Sequence, residues 1–235
     1  MNIAAPLQQN LQAVQAAIRQ ACNRSARSHK DVTLMAVTKY AADADVLALL
    51  DTGKISHIGE SRVQQAQARW TRPEFAKYPV IKHFIGHLQK NKAAQAAALF
   101  DFIDSIDNLQ TAQALNLHAA KLGKTLRVLV QIKLTDRESQ SGVSLAQAPV
   151  LVAQLKALKQ LHVCGYMGIA PQTDDTARLR ALFKEVKAAF DRDFPAGRER
   201  YLSLGMSNDF EVAVEEGSTL PRVGSRLFAP HLEEL

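Results

Sequence analysis

The sequence predicts one α/β domain, a (β/α)8 barrel of the TIM type with an extra helix at its N-terminal end. Three observations carry this. Short apolar runs alternate with helical stretches along the whole chain, the pattern of βα units around a parallel sheet. About eight such runs occur, enough to close a barrel. The turn after the first run, Lys39-Tyr40-Ala41-Ala42, contains no glycine, whereas an open doubly wound sheet seats its dinucleotide on a glycine-rich turn at this place. A chain of 235 residues suits one barrel, so residues 1–235 are read as a single domain.

Taken in order, Leu7, Leu11, Val14, Ile18 and Cys22 recur at helical spacing and predict an amphipathic helix that stops near Asn23. Apolar runs predict strands at 33–38, 55–59, 80–85, 102–106, 126–132, 161–167, 201–205 and 220–224. Helical periodicity marks 43–50, 109–122, 146–158 and 176–190 among the segments between them. Pro171-Gln172-Thr173-Asp174-Asp175 reads as an exposed loop.

Composition narrows the function. The chain is 47% hydrophobic and 22% charged, which excludes disordered and fibrous classes. Cys22 and Cys164 are too few for a disulfide framework and are expected as core thiols in a reducing compartment. No apolar stretch approaches the roughly 18 residues of a membrane span, and no signal segment opens the chain, so a cytoplasmic protein without a membrane partner is expected. The net charge of +6 is scattered, with only Lys90-Asn91-Lys92 clustered. Nucleic acid is therefore not expected as a partner, and a small anion accounts for the excess equally well.

The chemistry is expected at the C-terminal mouth of the barrel, where phosphate is commonly held after strands seven and eight. Lys39 closes the first run, where an amine can attack a carbonyl carbon if partial burial favours its neutral form. Gly205-Met206-Ser207-Asn208-Asp209 follows the seventh run and opens a helical stretch. Ser207 there either caps that helix or offers its hydroxyl to an anion. Gly224-Ser225 follows the eighth, with Gly224 allowing close backbone approach and Ser225 adding a hydroxyl. Together these describe a pocket for an aldehyde that bears a phosphate, and pyridoxal 5'-phosphate is the commonest molecule of that kind.

Alternation points Arg222 the same way as Gly224, toward the barrel interior. Facing a pyridine nitrogen, a guanidinium would leave it unprotonated and the ring a poor electron sink. The other reading of Arg222 is an ion pair with Glu211 or Glu215. His83 and His87 are four apart but sit at a strand end rather than on a helix, so no metal pair is expected, while His87 is placed at the mouth.

The segments Val37-Thr38-Lys39, Gly59-Glu60-Ser61-Arg62-Val63-Gln64 and His83-Phe84-Ile85-Gly86-His87-Leu88-Gln89-Lys90-Asn91-Lys92 occur in this order, followed by Gly165-Tyr166-Met167 and the stretch from Leu202 to Asp209. In this they resemble the pyridoxal phosphate homeostasis family, over about Val32 to Phe228. The resemblance implies the barrel of alanine racemase, the type III fold of pyridoxal-phosphate proteins, without its C-terminal β domain. It implies a Schiff base at Lys39, phosphate contacts from Ser207, Gly224 and Ser225 beside Met206, and Arg222 at the pyridine nitrogen. Three positions depart from the family: Ser61 replaces the usual asparagine at a ring contact, Gln140 a common lysine, and Ser225 a frequent threonine. The implied function is binding of the cofactor for intracellular vitamin B6 and amino-acid homeostasis without catalytic turnover, with apo pyridoxal-phosphate enzymes as recipients and a monomer as the expected state. The chain ends at Leu235 soon after the eighth unit, so the open face that a racemase covers with its second domain is expected to stay accessible. The alternative is a racemase-like enzyme acting on an unidentified amino acid.

Overall fold

The computed structural model describes residues 4–135, 140–195, 197 and 199–228. Eight parallel strands form the barrel wall: β1 (Met35–Val37), β2 (His57–Glu60), β3 (Ile81–Phe84), β4 (Phe102–Ile106), β5 (Leu126–Lys133), β6 (Leu161–Ile169), β7 (Tyr201–Ser203) and β8 (Arg222–Val223). Every residue of β2 and β4 is buried, as expected for strands covered by helices outside and side chains inside.

Helices α1 (Ala4–Arg24), α2 (Asp43–Asp51), α3 (Val63–Trp70), α4 (Pro73–Ala76), α5 (Ala93–Leu99), α6 (Leu109–Lys121), α7 (Ala148–Lys156), α8 (Thr176–Asp193), α9 (Phe210–Glu215) and α10 (Ser225–Phe228), with short 3-10 turns at His29–Asp31 and Lys90–Lys92, complete the described elements. The apolar stripe of α1 is buried throughout, and α1 packs against α2, α9 and α10 where the barrel closes. Arg24 at its end bonds Glu211 at 3.2 Å and Glu215 at 2.5 Å on α9. Both cysteines are free and buried.

Strands pair in sequence from β1 to β7, and β8 returns to pair with β1 through Met35↔Arg222 and Ala36↔Val223. Among the described residues no regular ladder joins β7 to β8. That seam is closed by single bonds and by short side chains. Thr219 N–H donates to Leu202 O at 2.9 Å, and Arg222 N–H donates to Gly205 O at 3.0 Å. Ser218 Oγ donates to Leu204 O at 2.7 Å, and Ser203 Oγ donates to Leu220 O at 3.0 Å.

Inside the barrel, Phe102, Leu129, Cys164 and Met167 form a small cluster distinct from the main core between strands and helices. Beside it runs a buried polar row. His83 Nδ1 lies 3.0 and 3.1 Å from the Asp104 carboxylate oxygens, and His83 Nε2 lies 2.8 Å from His57 Nδ1. A carboxylate only accepts, so His83 donates through Nδ1, and its Nε2 shares one hydrogen with His57 Nδ1.

Candidate functional site at the barrel mouth

A cavity of about 880 Å³ opens at the C-terminal ends of the strands. Six of the eight residues expected at the site line it: Lys39, Met206, Ser207, Arg222, Gly224 and Ser225. The closure of β8 onto β1 brings the early lysine to the late serines.

Lys39 sits half-buried on a tight turn after β1, where Ala41 N–H donates to Thr38 O at 3.1 Å. Its Nζ lies 5.1 Å from the centroid of the Tyr40 ring. Gly224 stands close to β1: a Cβ there would lie 3.1 Å from Val37 O, so only glycine fits without displacing the neighbour.

Ser207 does not cap α9. Asp209 holds the N-cap position, and its carboxylate accepts from Met206 N–H at 2.6 Å. The Ser207 hydroxyl instead faces the β8 end, where Gly224 N–H at 3.3 Å and Arg226 N–H at 3.5 Å point to its oxygen. A serine at this place can cap either neighbour, and the seam between β7 and β8 selects the second. Burial pushes the Asp209 carboxyl up from its ordinary range, against the Met206 N–H that favours its charged form.

Arg222 is 3% exposed. It donates through Nη1 to Ser203 O at 2.7 Å and Ser203 Oγ at 2.8 Å, and through Nη2 to Gly168 O at 2.8 Å. Burial lowers its pKa to about 10, with the carboxylates of Asp104 and Asp209 acting in the opposite sense. It remains a cation at neutral pH. The ion pair with Glu211 or Glu215 does not form, because Glu211 bonds Arg24 and Arg226 and Glu215 bonds Arg24 and Arg180.

Ser61 and His87 are not among the residues that line the cavity. Ser61 is half-buried beyond β2, and its backbone lies so close to Gly86 that a Cβ there would come within 2.2 Å of the Ser61 carbonyl oxygen. The His87 side chain is 56% exposed, and its Nδ1 lies 2.9 Å from Ser141 Oγ and 3.7 Å from Asp107. Gln140 is turned to the protein, donating to Ile169 O at 2.7 Å.

Residues 170–174 and Thr176 at the start of α8, with Tyr40, Asn208 and Asp209, add a rim that sequence reasoning did not assign to the site. Its position just after the sixth strand was the available signal. No cluster of three or more metal-ligating side chains occurs among the described residues. The donor set suits a phosphate-bearing aldehyde: a primary amine, small hydroxyls beside backbone N–H groups, a glycine that keeps the wall open, and a buried cation.

The profile of the alanine racemase N-terminal domain matches residues 9–231. Alanine racemase of Clostridium difficile shares the fold at a TM-score of 0.72 and 15% identity, with this chain covering 57% of it. The "pyridoxal phosphate homeostasis protein" of Escherichia coli K12 is 34% identical over 226 residues, 93% of this chain and 94% of that protein. The protein of that name from Synechocystis is 37% identical over 205 residues, 86% of this chain and 92% of its own. PipY of Synechococcus elongatus PCC7942, solved with PLP bound, is 34% identical with a TM-score of 0.77, covering 91% of this chain and 99% of PipY. Fold and mouth thus define a barrel of the alanine racemase N-terminal class. Within that class, the chain belongs to the pyridoxal phosphate homeostasis family.

Proposed function

We propose that this protein binds pyridoxal 5'-phosphate at the barrel mouth and serves intracellular cofactor and amino-acid homeostasis. Lys39 forms a Schiff base with the aldehyde, while Ser207, Gly224 and Ser225 take the phosphate beside Met206. The observation that carries this reading is the single cavity in which Lys39, Arg222 and the late-strand serines meet.

Bound cofactor supplies an electrophilic carbonyl and a conjugated ring that can accept electrons. Arg222, held by Ser203 and Gly168, presents a cation to the ring nitrogen and withholds a proton from it. That weakens the ring as an electron sink and favours storage over turnover. The rim supports exchange, because Tyr40 is 78% and Met206 39% exposed. Apo pyridoxal-phosphate enzymes are the proposed recipients, and a cytoplasmic monomer is the proposed state. Among the described residues no helix is long and apolar enough to cross a membrane.

The test is to add pyridoxal 5'-phosphate, reduce with borohydride and map the modified peptide. The expected label is on Lys39; a label on another residue, or none, overturns the site. Sustained exchange of amino-acid α-protons in deuterated water, above the background of free cofactor, would overturn the storage role.

A further inference from the structure

Arg69, near the end of α3, belongs to none of the segments that carry the family resemblance and does not line the cavity. Its guanidinium lies against the turn that carries Lys39. Because Ala41 N–H donates to Thr38 O, residues 38–41 form a hydrogen-bonded turn with Lys39 and Tyr40 as its two central residues. Arg69 Nη1 donates to Thr38 O at 2.8 Å and Nη2 donates to Ala41 O at 2.7 Å. One planar group therefore holds both ends of the turn.

The guanidinium is itself fixed. Nη1 also donates to Glu60 Oε1 at 3.0 Å and Nε to Asp43 Oδ1 at 2.8 Å. Glu60 is 1% exposed, and its Oε1 also accepts from Thr38 Oγ1 at 2.7 Å and Trp70 Nε1 at 3.1 Å. The other oxygen of Asp43 accepts from Arg72 Nη2 at 2.6 Å. The turn is tied in this way to the end of β2 and to α3, and its two central residues, Lys39 and Tyr40, are left to line the cavity.

The geometry points to Arg69 as a positioning residue for Lys39, its fork set by Glu60 and Asp43 so that the lysine amine enters the cavity from one direction. This rests on the reading of Lys39 as the imine-forming residue. In that reaction the amine nitrogen bonds the aldehyde carbon, and the carbonyl oxygen leaves as water with the two amine protons. No redox partner is needed, so the rate depends on how often the amine stands in line with the carbonyl. A guanidinium holds two carbonyls at once; an ammonium is a point charge that cannot reproduce the fork.

The experiment uses the full chain, Arg69→Ala, Arg69→Lys and two ligands. Pyridoxal 5'-phosphate forms the imine; pyridoxine 5'-phosphate keeps the ring and phosphate but carries an alcohol in place of the aldehyde. Stopped-flow absorbance reads imine formation, and equilibrium titration reads both affinities. For Arg69→Ala the imine rate is expected to fall at least about tenfold while affinity for the alcohol stays within about twofold. Arg69→Lys, which keeps a charge beside Glu60, is expected to fall between the two, slowed at least about threefold.

An alanine variant that forms the imine at the unaltered rate overturns the inference. So does an equal loss of affinity for both ligands, which would make Arg69 a support for the whole mouth. Should the alanine variant fail to fold, the lysine variant decides: slowed imine formation with the alcohol still bound supports the role, and an unaltered rate overturns it. Failure of the parent protein to form a reducible adduct at Lys39 would instead remove the cofactor reading, and the inference with it.

Discussion

Arg222→Met tests what closes the barrel at the seam between β7 and β8. The guanidinium ties β8 to β7 through Ser203 and to β6 through Gly168, across the one gap in the ring of strand pairs. Hydrogen bonds from a charged donor contribute about 1.5–3 kcal/mol each, so three such bonds give about 6 kcal/mol. Desolvation opposes this. Burial lowers the Arg222 pKa to about 10 against the pull of Asp104 and Asp209, a net shift that corresponds to about 3 kcal/mol at 1.36 kcal/mol per unit. The difference, about 3 kcal/mol, is the expected loss of stability in a variant that keeps an unbranched apolar stem but loses the donors. Urea unfolding of cofactor-free protein, followed by far-ultraviolet circular dichroism, measures it. A loss below about 1 kcal/mol would refute the reasoning, because the seam would then be held by its backbone bonds and by Ser218 without help from Arg222.

Two further outcomes follow from buried groups. His57 is 7% exposed and its pKa is lowered from 6.5 to about 4, chiefly by burial and then by the neighbouring His83. Its neutral form is favoured in the folded state, so stability is full above the unfolded pKa and is lost as pH falls from about 6.5 through about 4, by about 3 kcal/mol. In His57→Asn that share of the acid sensitivity should vanish; equal pH slopes for variant and parent in urea titrations would exclude His57 as its source. At Gly205 the backbone has φ +88, and an added Cβ would lie 2.6 Å from Ala213 Cβ and 2.7 Å from Phe210 Cα. Gly205→Ala should therefore cost about 2–4 kcal/mol and displace the Ser207 loop; an unchanged melting temperature would show that α9 yields freely.

The wall of the barrel was legible where strands are long and mostly buried. The run at 102–106 coincides with β4, and those opening at Leu126 and Leu161 match the starts of β5 and β6. The first and last runs overshot: β1 spans only Met35–Val37 and β8 only Arg222–Val223. At the last run the seam gives β8 a regular partner on one side alone, so the ladder there is short. Helices α3, α4 and α5 were not singled out. The buried face of α5 is Ala93, Ala96 and Ala97, whose small side chains produce a weak periodic signal.

The same division holds at the mouth. Lys39, Ser207, Arg222, Gly224 and Ser225 announced themselves by residue type and by position after predicted strands. Ser61 and His87 follow strands too, yet the cavity draws mainly on the ends of β1, β6, β7 and β8, with Ile85 its contribution from the end of β3. Arg69 carried no signal, since its role lies in reaching two carbonyls of another unit.

Alternating apolar runs and helices were enough, unaided, to specify a parallel barrel and the end that bears its chemistry, because strands buried on both faces must be apolar and their C-terminal loops must stay free. Only the folded chain decided how the ring closes, which helix Ser207 serves, where Arg222 spends its hydrogen bonds and what grips the lysine turn. Those outcomes depend on register and on contacts between distant segments, and a one-dimensional pattern carries neither.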